Sequence, residues 1–252
     1  MARGVGTVLV GILGPTGSGK SRLSITLAKH FDGEVVGCDA LQVYRGVDVG
    51  TGKLSSAARA GIPHYLLDVV EPDGEFSAAD YVREAAPVVR DISRRGKLPL
   101  VVGGTGLYFR SLRRGLFEGP GRVPKLRARI SRVAGRRGTA YVHRMLCRRD
   151  PTSAARIHPN DLVRTIRALE VTLLSSRPMS DVMRERRRRL EGFQFSLVGL
   201  SPPREELRRR IDIRVRRMFD EGLVDEVRRL QERYGTEIPA FKAIGYREVG
   251  RY

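Results

Sequence analysis

A glycine-rich loop near the start of the chain carries residue types that bind phosphate groups. Residues 14–21 read GPTGSGKS and match the phosphate-loop pattern G-x-x-x-x-G-K-[ST] at every constrained position. Glycines let the backbone curl around an anion, and the start of the helix that follows adds a positive field. The lysine contributes a point charge, and the hydroxyl of Ser21 can bind Mg²⁺. The predicted di- or triphosphate site comprises Gly14, Thr16, Gly17, Ser18, Gly19, Lys20 and Ser21.

The acid expected beside such a loop is not where most ATPases and kinases have it. In those enzymes a second strand usually ends in a carboxylate that positions Mg²⁺. Here the apolar run Leu98–Val102 ends in Gly-Gly-Thr-Gly, and the candidate acid is Asp39, after a different predicted strand. We interpret the loop as a diphosphate site that serves another acceptor chemistry, and a small-molecule kinase or ATPase stays an alternative.

The elements that must position these residues alternate between strand and helix. Continuous apolar strands in this order predict an α/β fold, with a P-loop NTPase-like parallel sheet flanked by helices. Ser77 suits the N-cap of its helix, whereas Pro87 should bend or interrupt that helix. The predicted strands are Thr7–Leu13, Glu34–Cys38, Tyr65–Val69 and Leu98–Val102, and the predicted helices are Lys20–His30 and Ser77–Arg95.

The middle of the chain has helical patterns and lacks such strands. We predict a mostly helical insert domain at residues 113–195, between two parts of a catalytic core at residues 1–112 and 196–252. The core resumes with a strand at Phe195–Leu200, followed by helices at Pro202–Phe219 and Leu223–Tyr234. The helices predicted in the insert are Pro124–Val133, Tyr141–Arg148 and Leu162–Ser175.

The positive charge of the chain is concentrated in this middle segment. The whole chain has a net charge of +19, from 47 basic and 28 acidic residues. Residues 110–190 hold 22 basic and 6 acidic side chains, whereas residues 1–109 hold 12 and 11. A genome rich in G and C would favour Arg over Lys, but it would not deplete acids from one segment alone. The distribution therefore favours a nucleic-acid partner for the middle segment.

Several other classes of protein do not fit the sequence. No apolar run approaches the roughly 18–20 residues that span a membrane, and no secretory signal is recognisable, so we expect a cytoplasmic protein without a membrane partner. The two cysteines, Cys38 and Cys147, are far apart and form no C-x-x-C pair. The four histidines have no metal-ligand spacing, and we expect them at helix ends, in turns or on the surface.

Motifs spread along nearly the whole chain resemble those of one family. The runs CDALQVYRGVDVGTGK at 38–53 and ARIHPNDLVRTIRALEV at 155–171 are far more specific than the phosphate loop. The remaining motifs, in the family's order, are GPTGSGKS at 14–21, HYLLDVVEPDGEFSAADY at 64–81, LPLVVGGTGLYFRSL at 98–112, RIDIRVRRMF at 210–219 and KAIGYRE at 242–248. On these motifs the chain resembles the bacterial tRNA dimethylallyltransferases, also called tRNA isopentenyltransferases.

The resemblance implies a specific reaction. A dimethylallyl group passes from dimethylallyl diphosphate to N6 of adenine 37, just 3′ of the tRNA anticodon, and diphosphate is released. The resemblance implies that Asp39 is the catalytic aspartate, that Arg214 contacts the diphosphate and that Thr105 approaches the target base. The implied cofactor is Mg²⁺, the implied partners are tRNA and dimethylallyl diphosphate, and we expect a monomer.

The resemblance also implies a set of tRNA contacts. A charged run at residues 184–189 is a further candidate for the RNA backbone, with a solvated linker as the alternative. Family members usually continue past the KAIGYRE motif with a basic helical segment, so a shortened relative that binds RNA without catalysis stays open. The matched positions are Asp39, Ala40, Leu41, Gln42, Thr105, Arg127, Val163, Arg164, Thr165, Ile166, Arg167, Lys242, Ala243, Ile244, Gly245, Tyr246 and Arg247.

Overall fold

The structure, a computed structural model, describes residues 7–117, 119–184 and 190–251. The chain divides into two compact units, one formed by Met1–Gly115 with Arg189–Tyr252 and the other by Leu116–Arg188. The second unit falls within the predicted insert, residues 113–195. No helix in the described part of the chain is long and apolar enough to cross a membrane.

A sheet of five parallel strands forms the centre of the first unit. The strands are β1 (Thr7–Leu13), β2 (Gly33–Gly37), β3 (His64–Tyr65), β4 (Leu98–Gly103) and β5 (Phe193–Gly199), in the order β3-β2-β4-β1-β5. The predicted α/β fold with a parallel sheet is confirmed. Because β2, β4 and β1 are neighbours, the loops that follow them lie together at the carboxyl edge of the sheet, where such folds bind ligands.

Helices cover this sheet and make up the regular structure of the second unit. Helices α4 to α8 belong to the second unit, and the others belong to the first. In chain order they are α1 (Lys20–His30), α2 (Ala78–Arg94), α3 (Gly106–Arg114), α4 (Pro124–Arg137), α5 (Thr139–Arg149), α6 (Pro151–Ala154), α7 (Leu162–Ser175), α8 (Met179–Val182), α9 (Arg204–Asp220), α10 (Leu223–Tyr234) and α11 (Tyr246–Val249), with a 3₁₀ helix at Pro239–Lys242.

Helix α2 shows how local signals and burial combine. Ser77 caps it as predicted, since its hydroxyl accepts hydrogen bonds from the backbone N–H groups of Ala79 and Asp80. Pro87 does not interrupt the helix, which continues to Arg94. The face of α2 that includes Tyr81 and Ile92 is fully buried against the sheet. Burial of this face offsets the hydrogen bond that the proline cannot make.

Two predicted strands differ from the structure by more than one residue at an end. The strand predicted at Tyr65–Val69 is reduced to His64–Tyr65, because Leu66 and Asp68 have positive φ angles of 60° and 58°. A left-handed backbone cannot continue a strand. The last strand begins at Phe193, two residues before its predicted start, and pairs with β1 along its whole length. Helix α3 was not predicted, because its first residue, Gly106, belongs to a glycine-rich run that suggested a turn.

Candidate active site

The phosphate loop connects β1 to α1, as its sequence pattern predicts. Gly17 and Gly19 have φ angles of 80° and 93°, which L-residues with a side chain rarely adopt. Lys20 Nζ donates a hydrogen bond to the carbonyl of Pro15 at 2.7 Å, across the loop. The hydroxyl of Ser18 is buried and has no hydrogen-bond partner among the described residues. A buried donor without a partner suits an anion held in the curl of the loop.

A cavity of about 330 Å³ opens beside this loop and collects the predicted chemistry. Asp39 and Arg214 line it together with Lys20, although they lie far apart in the sequence. Burial lowers the pKa of Lys20; the Asp39 carboxylate opposes this effect, and Arg214 adds to it. Burial also lowers the pKa of Arg214, again opposed by Asp39. Two half-buried cations that share one carboxylate leave an excess of positive charge, which suits a polyanion such as diphosphate.

The two oxygens of Asp39 have different surroundings. Oδ1 accepts hydrogen bonds from the backbone N–H groups of Leu41 at 2.9 Å and Gln42 at 3.4 Å. These bonds fix the carboxylate at the end of β2. Oδ2 accepts no hydrogen bond from the residues that the structure describes, so it can accept a proton from a ligand in the cavity. The turn-capping role that an isolated Asp usually has is therefore present, but it occupies only one oxygen.

Thr105 lies behind Asp39, at the N-terminus of α3. Its backbone N–H donates to the carbonyl of Cys38 at 3.1 Å, and its Oγ1 accepts from the N–H of Ala40 at 3.0 Å. These two bonds tie the loop after β4 to the loop after β2. Because Oγ1 acts here as an acceptor, its own hydroxyl proton remains available as a donor.

Arg214, on α9, reaches the cavity through contacts that its sequence motif did not suggest. Its Nη2 donates to the carbonyl of Thr51 at 2.6 Å, and Gln42 Nε2 donates to the same carbonyl at 3.2 Å. Gly52 lies against the guanidinium, and a Cβ at this position would lie 2.5 Å from Nη2. The loop around Thr51 thus aims the cation at the phosphate loop.

Two further features of the cavity were not predicted from the sequence. His64 lines it, with Nδ1 bound to the carbonyl of Ile62 at 2.8 Å and a buried Nε2 that has no partner in the described residues. Burial lowers the pKa of His64, which favours the neutral ring. Arg210 lines both this cavity and an adjoining groove of about 850 Å³. Its position, one helical turn before Arg214, was the available signal.

The predicted RNA contacts of the first unit are unevenly exposed. Ile244 is 86% exposed, and the side chain of Arg247 is also on the surface. Ala243 and Tyr246 are buried, and the Tyr246 side chain is 0% exposed. Tyr246 OH accepts from the N–H of Gly50 and donates to Glu226, so the side chain of this predicted RNA contact is bound inside the fold. Nothing is described for the side chain of Lys242.

Two of the predicted RNA contacts of the second unit bind a buried carboxylate. Glu170, which is 0% exposed, accepts hydrogen bonds from Arg127 and Arg167 and from the N–H of Val123. Burial alone would raise the pKa of Glu170, but these hydrogen bonds outweigh it and lower the pKa to about 2. Both arginines therefore help to hold the unit together, which their positions in the sequence did not indicate.

The N-terminus of α7 presents more accessible candidates. Val163 is 76% exposed, and the Arg164 side chain is 72% exposed, with an ion pair to Asp161. Thr165 and Ile166 are buried, so their side chains pack inside the unit. In the charged run at 184–189, Arg184 pairs with Asp181, and residues 185–189 lie outside the described residues.

Known proteins that resemble this chain share one family. The family model described as IPP transferase matches residues 42–252. A tRNA dimethylallyltransferase of Koribacter versatilis is 47% identical over 94% of this chain and 78% of its own length. The corresponding protein of Geobacter sulfurreducens is 48% identical over 98% and 79%.

Solved structures give the same result. A full-length tRNA isopentenylpyrophosphate transferase from Bacillus halodurans is 37% identical, with a TM-score of 0.65 over 96% of this chain and 76% of that one. A eukaryotic dimethylallyltransferase acting on tRNA is 30% identical, with a TM-score of 0.82 over 96% of this chain and 62% of that one. With the family model and the curated relatives in agreement, the chain belongs to the IPP transferase family, which includes the tRNA dimethylallyltransferases.

Proposed function

We propose that this protein transfers the dimethylallyl group of dimethylallyl diphosphate to N6 of adenine 37 in tRNA and releases diphosphate. The observation that carries the proposal is the cavity in which Asp39, Lys20 and Arg214 meet beside the phosphate loop. The cavity offers both a proton acceptor, Asp39, and cations for a diphosphate, Lys20 and Arg214.

Asp39 assists attack by the adenine amine. The lone pair of that amine is delocalised into the ring, so the amine is a poor nucleophile unless its proton is removed as the new bond forms. Oδ2 of Asp39 is the acceptor, because Oδ1 is already bound by the N–H groups of Leu41 and Gln42. For the amine to reach this oxygen, the base must leave its stack in the anticodon loop, as in other enzymes that act on a base.

Departure of diphosphate is the other half of the barrier. As the bond to the allylic carbon breaks, negative charge grows on the leaving oxygens, and fixed donors lower the barrier there. Lys20, Arg214 and the Ser18 hydroxyl are such donors. Mg²⁺ bound to the diphosphate would neutralise part of this charge, and the hydroxyl of Ser21, which lines the cavity, would be its protein ligand. The described residues contain no cluster of three or more His, Cys, Asp or Glu, so this ion would enter with the diphosphate.

The RNA would be bound mainly by the exposed members of the predicted set. In the second unit these are Val163 and Arg164, and in the first unit they are Ile244 and Arg247, while the partly buried Gln42 would meet the base at the cavity. The net positive charge of the chain supports an RNA partner. We also propose that the enzyme is a monomer and that it modifies its RNA substrate in the cytoplasm.

The test is incubation of the purified protein with Mg²⁺, dimethylallyl diphosphate and an unmodified anticodon stem-loop that has adenine 3′ of the anticodon. Mass spectrometry of the digested nucleosides should detect N6-isopentenyladenosine, and a stem-loop with guanine at that position should give none. RNA binding without product would indicate a non-catalytic relative. Steady ATP turnover that needs neither RNA nor dimethylallyl diphosphate would indicate a kinase or ATPase instead.

A further inference from the structure

A buried carboxylate binds residues 48–50, in the loop whose Thr51 carbonyl accepts a hydrogen bond from Arg214. Glu226, on α10, is 3% exposed. Its Oε2 accepts from the backbone N–H groups of Asp48 at 3.1 Å and Val49 at 2.9 Å, and its Oε1 accepts from Gly50 at 3.4 Å. Three consecutive N–H groups that point at one carboxylate form an anion-binding nest, and here the bound anion is the Glu226 side chain. Burying a charge is costly, and these bonds offset the cost.

Tyr246 completes this arrangement. Its hydroxyl donates to Oε1 of Glu226 and accepts from the N–H of Gly50 at 3.1 Å. Burial, together with the hydrogen bond and charge of Glu226, raises the pKa of Tyr246 well above its usual range, so its hydroxyl stays protonated. Tyr246, in the KAIGYRE motif, therefore helps Glu226 to fix the backbone of residues 48–50.

The same loop leads directly to the cavity. Thr51 follows Gly50, and its hydroxyl donates back to the carbonyl of Val47 at 2.8 Å. The Thr51 carbonyl is the hydrogen-bond acceptor of Arg214, and Gly52, with a φ of 58°, packs against the guanidinium. The direction of the Arg214 side chain is thus set by backbone that Glu226 holds.

We propose that Glu226 is a positioning residue for the diphosphate, acting through residues 48–52 to hold the Arg214 guanidinium at the phosphate cavity. The inference rests on the proposed function for the identity of the ligand. Glu226 does not line the cavity, so its effect passes through residues 48–52 to the Arg214 guanidinium.

The experiment measures binding of inorganic pyrophosphate with Mg²⁺ by calorimetry, on the full chain, for Glu226→Gln, Arg214→Ala and the double variant. In Glu226→Gln the new amide group opposes backbone N–H donors, so the loop shifts. Lys53 still ties the loop through Asp48 and Asp68, and a melting curve of each variant checks that it is folded. Glu232→Gln, an exposed position on the same helix, is the matched control and should behave as wild type.

We expect Glu226→Gln to weaken pyrophosphate binding about tenfold, and to add little to Arg214→Ala in the double variant. Tyr246→Phe, which removes one hydroxyl, should produce a smaller loss in the same direction. Two outcomes would overturn the inference: unchanged pyrophosphate affinity in Glu226→Gln, whatever its melting temperature, or full additivity with Arg214→Ala. If the binding results are as expected but wild type makes no isopentenyladenosine, the proposed function fails and the positioning role stands.

Discussion

The substitution Asp39→Asn separates proton acceptance from every other role of this residue. Asparagine keeps an oxygen at the position of Oδ1, so the hydrogen bonds from Leu41 and Gln42 persist. We therefore expect the stability to change by less than about 1 kcal/mol, within the net value of one neutral hydrogen bond. The oxygen that would take the proton, Oδ2, is replaced by an amide NH₂ group, which cannot act as a base. Loss of a general base lowers rates by roughly 10²- to 10⁴-fold, and we expect a single-turnover rate reduced within that range.

The same substitution has a second consequence of opposite sign. Asp39 is the carboxylate that Lys20 and Arg214 share in the cavity, and it repels a diphosphate bound there. Removing one unit of negative charge from a partly solvated site strengthens anion binding by roughly 1 kcal/mol, or about fivefold. The variant should thus bind pyrophosphate more tightly while it transfers the dimethylallyl group far more slowly.

Two measurements on the same preparation check this. Single-turnover transfer to an anticodon stem-loop gives the rate, and calorimetry with pyrophosphate and Mg²⁺ gives the affinity. Binding of the stem-loop alone should match wild type. A variant that keeps more than about a tenth of the wild-type rate would refute Asp39 as the proton acceptor. Weaker pyrophosphate binding would refute the placement of the carboxylate beside the phosphate site.

Three further predictions follow from the contacts described. Gly52→Ala should lower the transfer rate at least about tenfold, because the new Cβ displaces the Arg214 guanidinium. It should also lower the stability by roughly 1–2 kcal/mol, because alanine is strained at a left-handed φ. Single-turnover kinetics measure the first effect, and thermal melting measures the second. Arg164→Ala should weaken tRNA binding and reduce the salt dependence of that binding by about one unit of slope, with an unchanged melting temperature. Arg167→Ala should also lower the melting temperature, because it removes a partner of buried Glu170. Salt titrations of tRNA binding, together with melting curves, distinguish the two variants. The depressed pKa of Glu170, about 2 against 4.5, contributes stability that is complete above about pH 4.5 and is lost as the pH falls towards 2; circular dichroism of wild type and Glu170→Gln should show a flatter acid dependence in the variant.

Much of the fold could be predicted because its strands are continuous apolar runs. Leu98–Val102 and Thr7–Leu13 lie at the centre of the sheet, where both faces are covered, so their sequences contain no competing pattern. The strand near Tyr65 was predicted too long, because the positive φ angles of Leu66 and Asp68 are imposed by their surroundings. A leucine gives no warning of such a conformation.

The site was predictable where function depends on local backbone. The phosphate loop works through consecutive N–H groups, and its glycine spacing is therefore visible in the sequence. The roles of Glu170 and Glu226 were not visible, since their partners are distant: Arg127 is 43 residues from Glu170, and Asp48 is 178 residues from Glu226. For the same reason, no pattern revealed that Arg127, Arg167 and Tyr246 have structural partners that limit their availability to RNA.

The carbonyl of Thr51 has a consequence for how the two substrates affect each other. It receives one donor from Gln42, in the segment proposed to meet RNA, and one from Arg214, at the phosphate end of the cavity. A base that engages the Gln42 amide leaves this oxygen to the guanidinium alone and so changes how the diphosphate is held. Thermodynamic linkage requires the reverse effect to be of equal size, so occupancy by the prenyl donor alters RNA affinity by the same factor. A single peptide oxygen thus couples the two binding events, and the coupling can be measured as the change in RNA affinity when pyrophosphate is added.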